Sequence, residues 1–311
     1  MQGVIVLNKP SGIVSNGAMT RLKRLLGVSK MGFLGTLDPL ASGVLPVFVG
    51  KATKLIPVFE GLDKEYRVTL KLGERTDTFD AEGTVVERRG LGGLTAEQVR
   101  EAVLAFEGVQ EQETPGYSAA KFNGTPGYRL ARQGRPVPER RRTVRFSGIG
   151  IESVEPPAVV FRVSCSAGAY MRRLAEDIGL RTGVGAHVTA LERLRCGSLF
   201  TLENSITLVG IENAVATGDL EFLKNPAGFM PDYLPVTIDK VLEDKLKNGQ
   251  PIPLLSDAGS VTPAAKVKVL RSCGALLAIG EIGEAGDLRK IGEAAPSGGD
   301  VLMFHPRKVL I

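Results

Sequence analysis

Tyr66, Val68, Leu70 and Leu72 alternate with Arg67, Thr69 and Lys71, the period-two pattern of a strand with one buried face. Val159, Phe161, Val163 and Cys165 repeat it. Between them, Thr95 to Glu107 has the helical period. Val99, Ala102, Val103 and Phe106 form its apolar face, Thr95 and Gln98 supply a capping box, and Gly108 ends it. A shorter helix is predicted from Asn16 to Gly27, capped by Asn16, with Met19, Leu22 and Leu26 on one side and Arg21, Lys23 and Arg24 facing solvent or phosphate. A further helix is predicted from Tyr170 to Gly179, after Gly168. Strands mixed irregularly with helices predict an α+β core rather than a doubly wound parallel sheet.

The pattern changes after about Met230, where Pro231 and Pro235 punctuate the chain. One short helical stretch, Ile238 to Asn248, is followed by brief apolar runs at Val267 to Leu270, Ala275 to Ile282 and Val301 to Phe304, separated by glycine-rich turns. This predicts a small, mostly β domain. The expected division is therefore 1–232 and 233–311, and 311 residues suffice for two domains with a sizeable core.

Composition narrows the function. A net charge of +5 and a pI near 9.1 favour an acidic partner. Three cysteines without CxxC spacing and only two histidines speak against a zinc site or a disulfide framework and for a reducing cytoplasm. The apolar stretch Val4 to Leu7 is too short for a signal peptide, and no segment approaches the roughly twenty apolar residues of a membrane span. A cytoplasmic protein with no metal and no membrane partner is expected.

The first acidic residue is Asp38, behind a start that carries Lys9, Arg21, Lys23, Arg24 and Lys30. Asp38 followed by Pro39 is a good helix start, with the carboxylate as N-cap and the proline in the first turn. Gly32, Gly35 and Gly43 bracket it with more backbone freedom than a cap requires, which suits a carboxylate presented to a polyanionic substrate.

The run GTLDPLASGVLPVFVGKATKL resembles the catalytic-loop motif of the TruB family of tRNA pseudouridine synthases, whose aspartate in G-x-L-D-P-x-A-x-G is the nucleophile. Gly3 to Asn16 is similar to the family's K-P-x-G-x-x-S motif, and Asp63 to Gly83 to its second motif. Cys165 to Gly179 and Gly185 to Phe200 continue the likeness in the family's order. Asn248 to Ile252 and Met303 to Ile311 resemble a PUA domain, an RNA-binding module. The resemblance implies a mixed, largely antiparallel catalytic sheet followed by a PUA-like domain.

It also implies a reaction that breaks the bond between uracil and ribose, turns the base and rejoins it through carbon 5, with no cofactor. Asp38 would attack ribose or base, or stabilise charge during formation of a glycal intermediate; the motif is compatible with all three. A hydrolytic glycosidase normally uses two carboxylates, whereas this motif has one. Tyr66 matches the tyrosine that stacks on the base and is a candidate acceptor of the carbon-5 proton; its periodicity alone makes it core. Arg172 matches the arginine that grips the catalytic carboxylate bidentately, although an isolated arginine at a helix start is usually a surface charge. Tyr170 and Leu191 match uridine-pocket positions that would otherwise be ordinary core. Phe33 stands where the family commonly has His, and is expected to keep a stacking wedge role in base flipping. His187 is expected to be structural.

Arg129, Arg132, Arg135, Arg140, Arg141, Arg142 and Arg145 face one acid, Glu139. Such a run is usually a solvated face, but the stretch resembles the mobile region that closes over the T arm of tRNA. Arg129, Arg132, Arg141 and Arg142 are therefore expected to contact phosphate. The implied function is formation of pseudouridine at position 55 of the T loop by a monomer that needs no protein partner. A dyskerin-type, RNA-guided enzyme is the nearest alternative; the start of the chain almost at the first motif favours the stand-alone type. Intact Asp38, Tyr66 and Arg172 weigh against a purely tRNA-binding or folding protein.

Overall fold

A computed structural model describes residues 1–118, 120–255, 264–283 and 301–311. In chain order the first strands are β1 (Gly3–Lys9), β2 (Met31–Phe33), β3 (Ser42–Val49), β4 (Lys64–Leu72), β5 (Glu74–Thr76), β6 (Val85–Arg88), β7 (Gly108–Glu113), β8 (Lys121–Phe122) and β9 (Thr125–Pro126). They continue as β10 (Arg141–Glu155), β11 (Ala158–Cys165), β12 (Ala186–Cys196), β13 (Phe200–Thr201), β14 (Ile206–Thr207), β15 (Leu234–Thr237), β16 (Ile252–Leu255), β17 (Lys266–Leu270), β18 (Leu276–Gly283) and β19 (Val301–Val309). The helices are α1 (Ser15–Leu26), α2 (Ile56–Phe59), α3 (Ala96–Leu104), α4 (Gly127–Arg132), α5 (Met171–Thr182), α6 (Leu208–Ala216) and α7 (Lys240–Lys247).

The first part is an α+β unit on one large mixed sheet, ordered β14-β1-β3-β12-β4-β11-β10-β7. Most pairings are antiparallel; β1 with β14 and β3 with β12 are parallel. Position in this sheet explains the two kinds of strand. β4 and β11 alternate buried and less buried residues, because one face meets the core and the other meets solvent. β1 and β3 are apolar along nearly their whole length, because both their faces are covered. Ile5, Leu7, Leu45 and Val47 enter one cluster with Tyr66, Val68 and Leu174. Val4, Val6, Val44 and Phe48 enter another with Phe59, Phe200 and Phe229.

That second cluster reaches into the C-terminal part. There a five-stranded sheet, ordered β15-β17-β18-β19-β16, has its own core of Ile238, Leu246, Ile252, Val267, Val269 and Phe304. Leu276, Ile279 and Leu310 instead pack with Phe200 and Phe229, whose rings stack at 4.7 Å. Lys268 Nζ adds hydrogen bonds to the carbonyls of Ala227 and Met230 at 3.1 and 2.9 Å. The glycine-rich turn expected before Val301 lies outside the described residues.

Several expected boundaries shift. The α3 capping box is present, but the helix ends at Leu104, and Gly108 opens β7. α1 starts after Val14, which makes no side-chain cap; Asn16 lies within the first turn. No helix follows Asp38: residues 38–41 form a loop that delivers the chain to β3. α5 continues past Gly179 to Gly183, whose φ of 75° closes it. Gly179 is needed for contact, since a Cβ there would lie 2.1 Å from the Ala186 nitrogen. Among the described residues, no helix is long and apolar enough to cross a membrane.

Candidate active site

The N-terminal K-P-S-G-I-V-S stretch grips the loop around Asp38 by its backbone. The Ser15 hydroxyl donates to the Leu37 carbonyl at 2.8 Å and accepts from the Leu37 N–H at 2.9 Å. Gly12 N–H donates to the Pro39 carbonyl at 2.8 Å, and Ser11 Oγ to the Leu40 carbonyl at 2.7 Å. Lys9, wholly buried, donates from Nζ to the carbonyls of Ile13, Pro10 and Pro39 at 2.7, 2.9 and 3.4 Å. These bonds fix the loop on both sides of the carboxylate without using it.

The carboxylate is held from α5. Arg172 Nε donates to Asp38 Oδ2 at 2.8 Å and Nη2 to Oδ1 at 3.3 Å, while the other donors reach the carbonyls of Thr78 (3.0 Å) and Tyr117 (2.8 Å). The Arg172 side chain is 6% exposed and that of Asp38 36%. The arginine is thus a fixed buried fork, and the carboxylate keeps an open side. This bidentate geometry orients as well as attracts. Asp80, 3.6 Å from Arg172 Nε, accepts from Thr78 Oγ1 and Glu82 N–H. Burial, then the Asp80 carboxylate, pushes the Glu82 carboxyl above its ordinary value.

Asp38, Tyr66, Tyr170, Arg172 and Leu191 line one pocket of about 330 Å³, together with Lys64, Ser118, Cys165 and Arg193. Asp80 is outside that lining, in which the carboxylates are Asp38 and Glu60. Tyr66 and Leu191 project from β4 and β12 and are nearly buried. Burial pushes the Tyr66 phenol up to about 12, against the opposing pull of Arg193, so it carries its proton near neutral pH.

Arg193 is a supporting residue that the sequence reading missed. It is 1% exposed, and its Nε donates to the Val44 carbonyl at 2.6 Å while Nη2 donates to the Gly35 carbonyl at 2.9 Å. Gly43 makes this possible: its φ is +100°, and a Cβ there would lie 2.2 Å from the Arg193 carbonyl oxygen. Lys9, Ser15 and Lys64 were also missed. All four stand inside motif stretches, but their apolar surroundings come from distant strands.

Phe33 ends β2 opposite Val47 and packs on the main core; it is not among the residues lining the pocket. Arg129 and Arg132 are exposed on α4, and Arg135, Arg140, Arg141 and Arg145 are exposed beyond it. Arg142 instead turns inward, donating to the Gly168 carbonyl at 3.2 Å. His187 is buried, its Nδ1 3.1 Å from the Glu74 carbonyl.

Burial lowers Lys9 to about 8, with Asp38 and Glu82 opposing the shift. Between about 8 and the ordinary 10.5 the folded chain has released a proton that the unfolded chain keeps. Lys9's contribution to stability therefore rises with pH through this window, and its buried charge is unfavourable below it. Turnover should respond in the opposite sense, because a neutral amine has one donor too few for three carbonyls. The expected rate falls above about pH 8 while the melting temperature does not fall with it. Lys9→Met should be slow at every pH and lack that alkaline fall. A parent profile flat through this range contradicts the role.

The TruB family pseudouridylate synthase N-terminal domain matches residues 23–171, and the tRNA pseudouridylate synthase B C-terminal domain matches residues 172–242. A tRNA pseudouridine synthase B from Idiomarina loihiensis is 41% identical over 263 residues, 84% of each chain. One from Syntrophus aciditrophicus is 37% identical over 99% of this chain and 100% of its own. Among solved structures, a crystal structure of a Cbf5–Nop10–Gar1 complex aligns with a TM-score of 0.67 and 26% identity, covering 99% of this chain and 85% of that one. With two consecutive domain models matching residues 23–242 and relatives aligned along most of its length, this chain belongs to the TruB family of pseudouridylate synthases.

Proposed function

We propose that this chain converts uridine to pseudouridine at position 55 in the T loop of tRNA, with Asp38 as the nucleophile. The observation that carries the reading is the half-open Asp38 carboxylate, gripped by buried Arg172 at the edge of a pocket walled by Tyr66, Tyr170 and Leu191. The pocket has room for one base, so the target uridine must leave its stack, at a cost of about a few kcal/mol. Stacking on Tyr66 offsets part of that cost.

In the reaction the bond from ribose C1′ to uracil N1 breaks, the base rotates, and C1′ bonds to C5. The C5 proton leaves and N1 gains one, so the product is an isomer. Asp38 reaches the sugar and base from its open side. Arg172 keeps the carboxylate aimed while charge moves. Tyr66, protonated near neutrality, supplies a stacking ring and a neutral hydroxyl rather than a phenolate base.

The exposed arginines Arg129, Arg132 and Arg141 suit phosphate contact around the T arm. The enzyme acts in the cytoplasm as a monomer, without a guide RNA or a protein partner. Loss of tritium from carbon 5 of labelled uridine in an unmodified tRNA transcript, with no other RNA present, tests this reading. Release dependent on the chain supports it. Release only after a guide RNA is added would favour the guided alternative.

The division at 1–232 and 233–311 is likewise proposed, the second part adding tRNA contacts. Truncation after Met230 removes Leu276, Ile279 and Leu310 from the cluster around Phe200 and Phe229. The remaining part should unfold cooperatively at a lower temperature and bind tRNA more weakly, yet still convert the bound T-loop uridine. Loss of any cooperative transition would place the boundary inside a shared core.

A further inference from the structure

We propose that Gln112 and Arg142 form a two-residue clamp that positions Tyr170 in the pocket. They lie on neighbouring strands β7 and β10 and face each other in register. The Gln112 side chain is 1% exposed. Its Oε1 accepts from the Tyr170 N–H at 3.0 Å, and its Nε2 donates to the Tyr170 carbonyl at 3.2 Å. One side-chain amide therefore occupies both polar groups of this residue's backbone, as a neighbouring strand would.

Arg142 holds the other end. Its Nη1 donates to the Gly168 carbonyl at 3.2 Å, and its guanidinium carbon stands 5.7 Å from the centre of the Tyr170 ring, within cation–π range. A Cβ on Gly168 would come within 2.3 Å of Arg142 Nη1, so glycine is what lets the guanidinium lie there. Arg142 Nε is buried and has no hydrogen-bond partner among the described residues. A group placed for phosphate would keep its donors in water; this one gives up a donor to lie against Tyr170.

Placement gives the clamp its consequence. Tyr170 directly precedes α5 in an extended conformation and supplies no side-chain cap. Two residues later Arg172 holds Asp38. The clamp therefore fixes the pocket ring and the start of the helix that aims the carboxylate. The segment bearing Arg129 and Arg132 leaves the sheet after Glu113 and returns at Arg141, one residue beyond each member of the clamp, so the clamp sits at the root of that segment.

The inference rests on the proposed pseudouridine-forming activity and on Tyr170 as a wall of its pocket. Gln112→Ala should lower the single-turnover rate at saturating tRNA by about 10- to 100-fold, with affinity little changed. In a Tyr170→Ala background the same change should cost clearly less, because the ring is gone and only the start of α5 is left to loosen. Arg142→Gln should also lower the rate and leave the salt dependence of binding unchanged. Amide hydrogen exchange provides a readout without catalysis: Gln112→Ala should accelerate exchange at Tyr170 while the interior of α5 keeps its protection.

Effects of Gln112→Ala and Tyr170→Ala that multiply would overturn the clamp. So would unchanged exchange at Tyr170, or a salt slope about one unit shallower in Arg142→Gln with the rate preserved, which is the mark of a phosphate contact. If the parent protein forms no pseudouridine in tRNA, the functional reading fails, and the exchange measurement still decides the clamp.

Discussion

Asp38→Asn is expected to abolish turnover, lowering the single-turnover rate by at least about 10⁴-fold, with tRNA affinity within a few fold of the parent. The substitution keeps the size of the side chain and an oxygen for Arg172 Nε to reach. It leaves the backbone grip from Lys9, Ser11, Gly12 and Ser15 untouched, because those bonds go to Leu37, Pro39 and Leu40. Only the charge and nucleophilicity are lost. Near-parental rates in this variant would end the nucleophile assignment.

Arg172→Met should damage both activity and stability. It removes the fork on Asp38 and the donors to the carbonyls of Thr78 and Tyr117, and leaves Asp80, 5% exposed, without its nearest cation. Breaking a buried pair in this way costs about 3–5 kcal/mol, to be read from denaturant unfolding. The rate should fall by about 100-fold or more, since misplacement of a reacting group by about 1 Å has that effect. Arg172→Lys should recover part of the stability but little of the rate, because an ammonium cannot span both carboxylate oxygens and two carbonyls. A lysine variant that turns over like the parent would show that bidentate aiming is dispensable.

Parts of this molecule are legible in the sequence because their cause is local. The alternation in β4 and β11 is written by one solvent face and one core face, and the Thr95–Gln98 box is complete within four residues. The errors arise where a distant partner decides. Asp38 and Pro39 look like a helix start, but the residues after them enter β3, buried between β1 and β12, and the carboxylate is taken by an arginine 134 positions away. Gly179 looks like a helix stop, yet the helix runs through it to Gly183, and the glycine is there to leave room for the Ala186 backbone. Ser15, an apt capping residue, spends its hydroxyl on Leu37.

The site divides in the same way. Asp38, Tyr66, Arg172, Tyr170 and Leu191 were brought forward by a motif resemblance, and they meet in one pocket. Periodicity alone makes Tyr66 and Leu191 core, which is also true of them. Arg193 and Gln112 could not be found this way: an arginine in a strand and a glutamine in a polar edge strand look solvated until Val44, Gly35 and Tyr170 are seen beside them. Arg142 belongs to a charge run by sequence and, by contact, lies against the Tyr170 ring.

The most direct test is mapping of pseudouridine at nucleotide resolution on an unmodified tRNA transcript after incubation with the purified chain, no guide RNA, and Asp38→Asn in parallel. The account predicts one new pseudouridine, at the T-loop uridine, made by the parent and absent with the variant. Modification elsewhere with the T loop untouched, or equal product from both proteins, would contradict it.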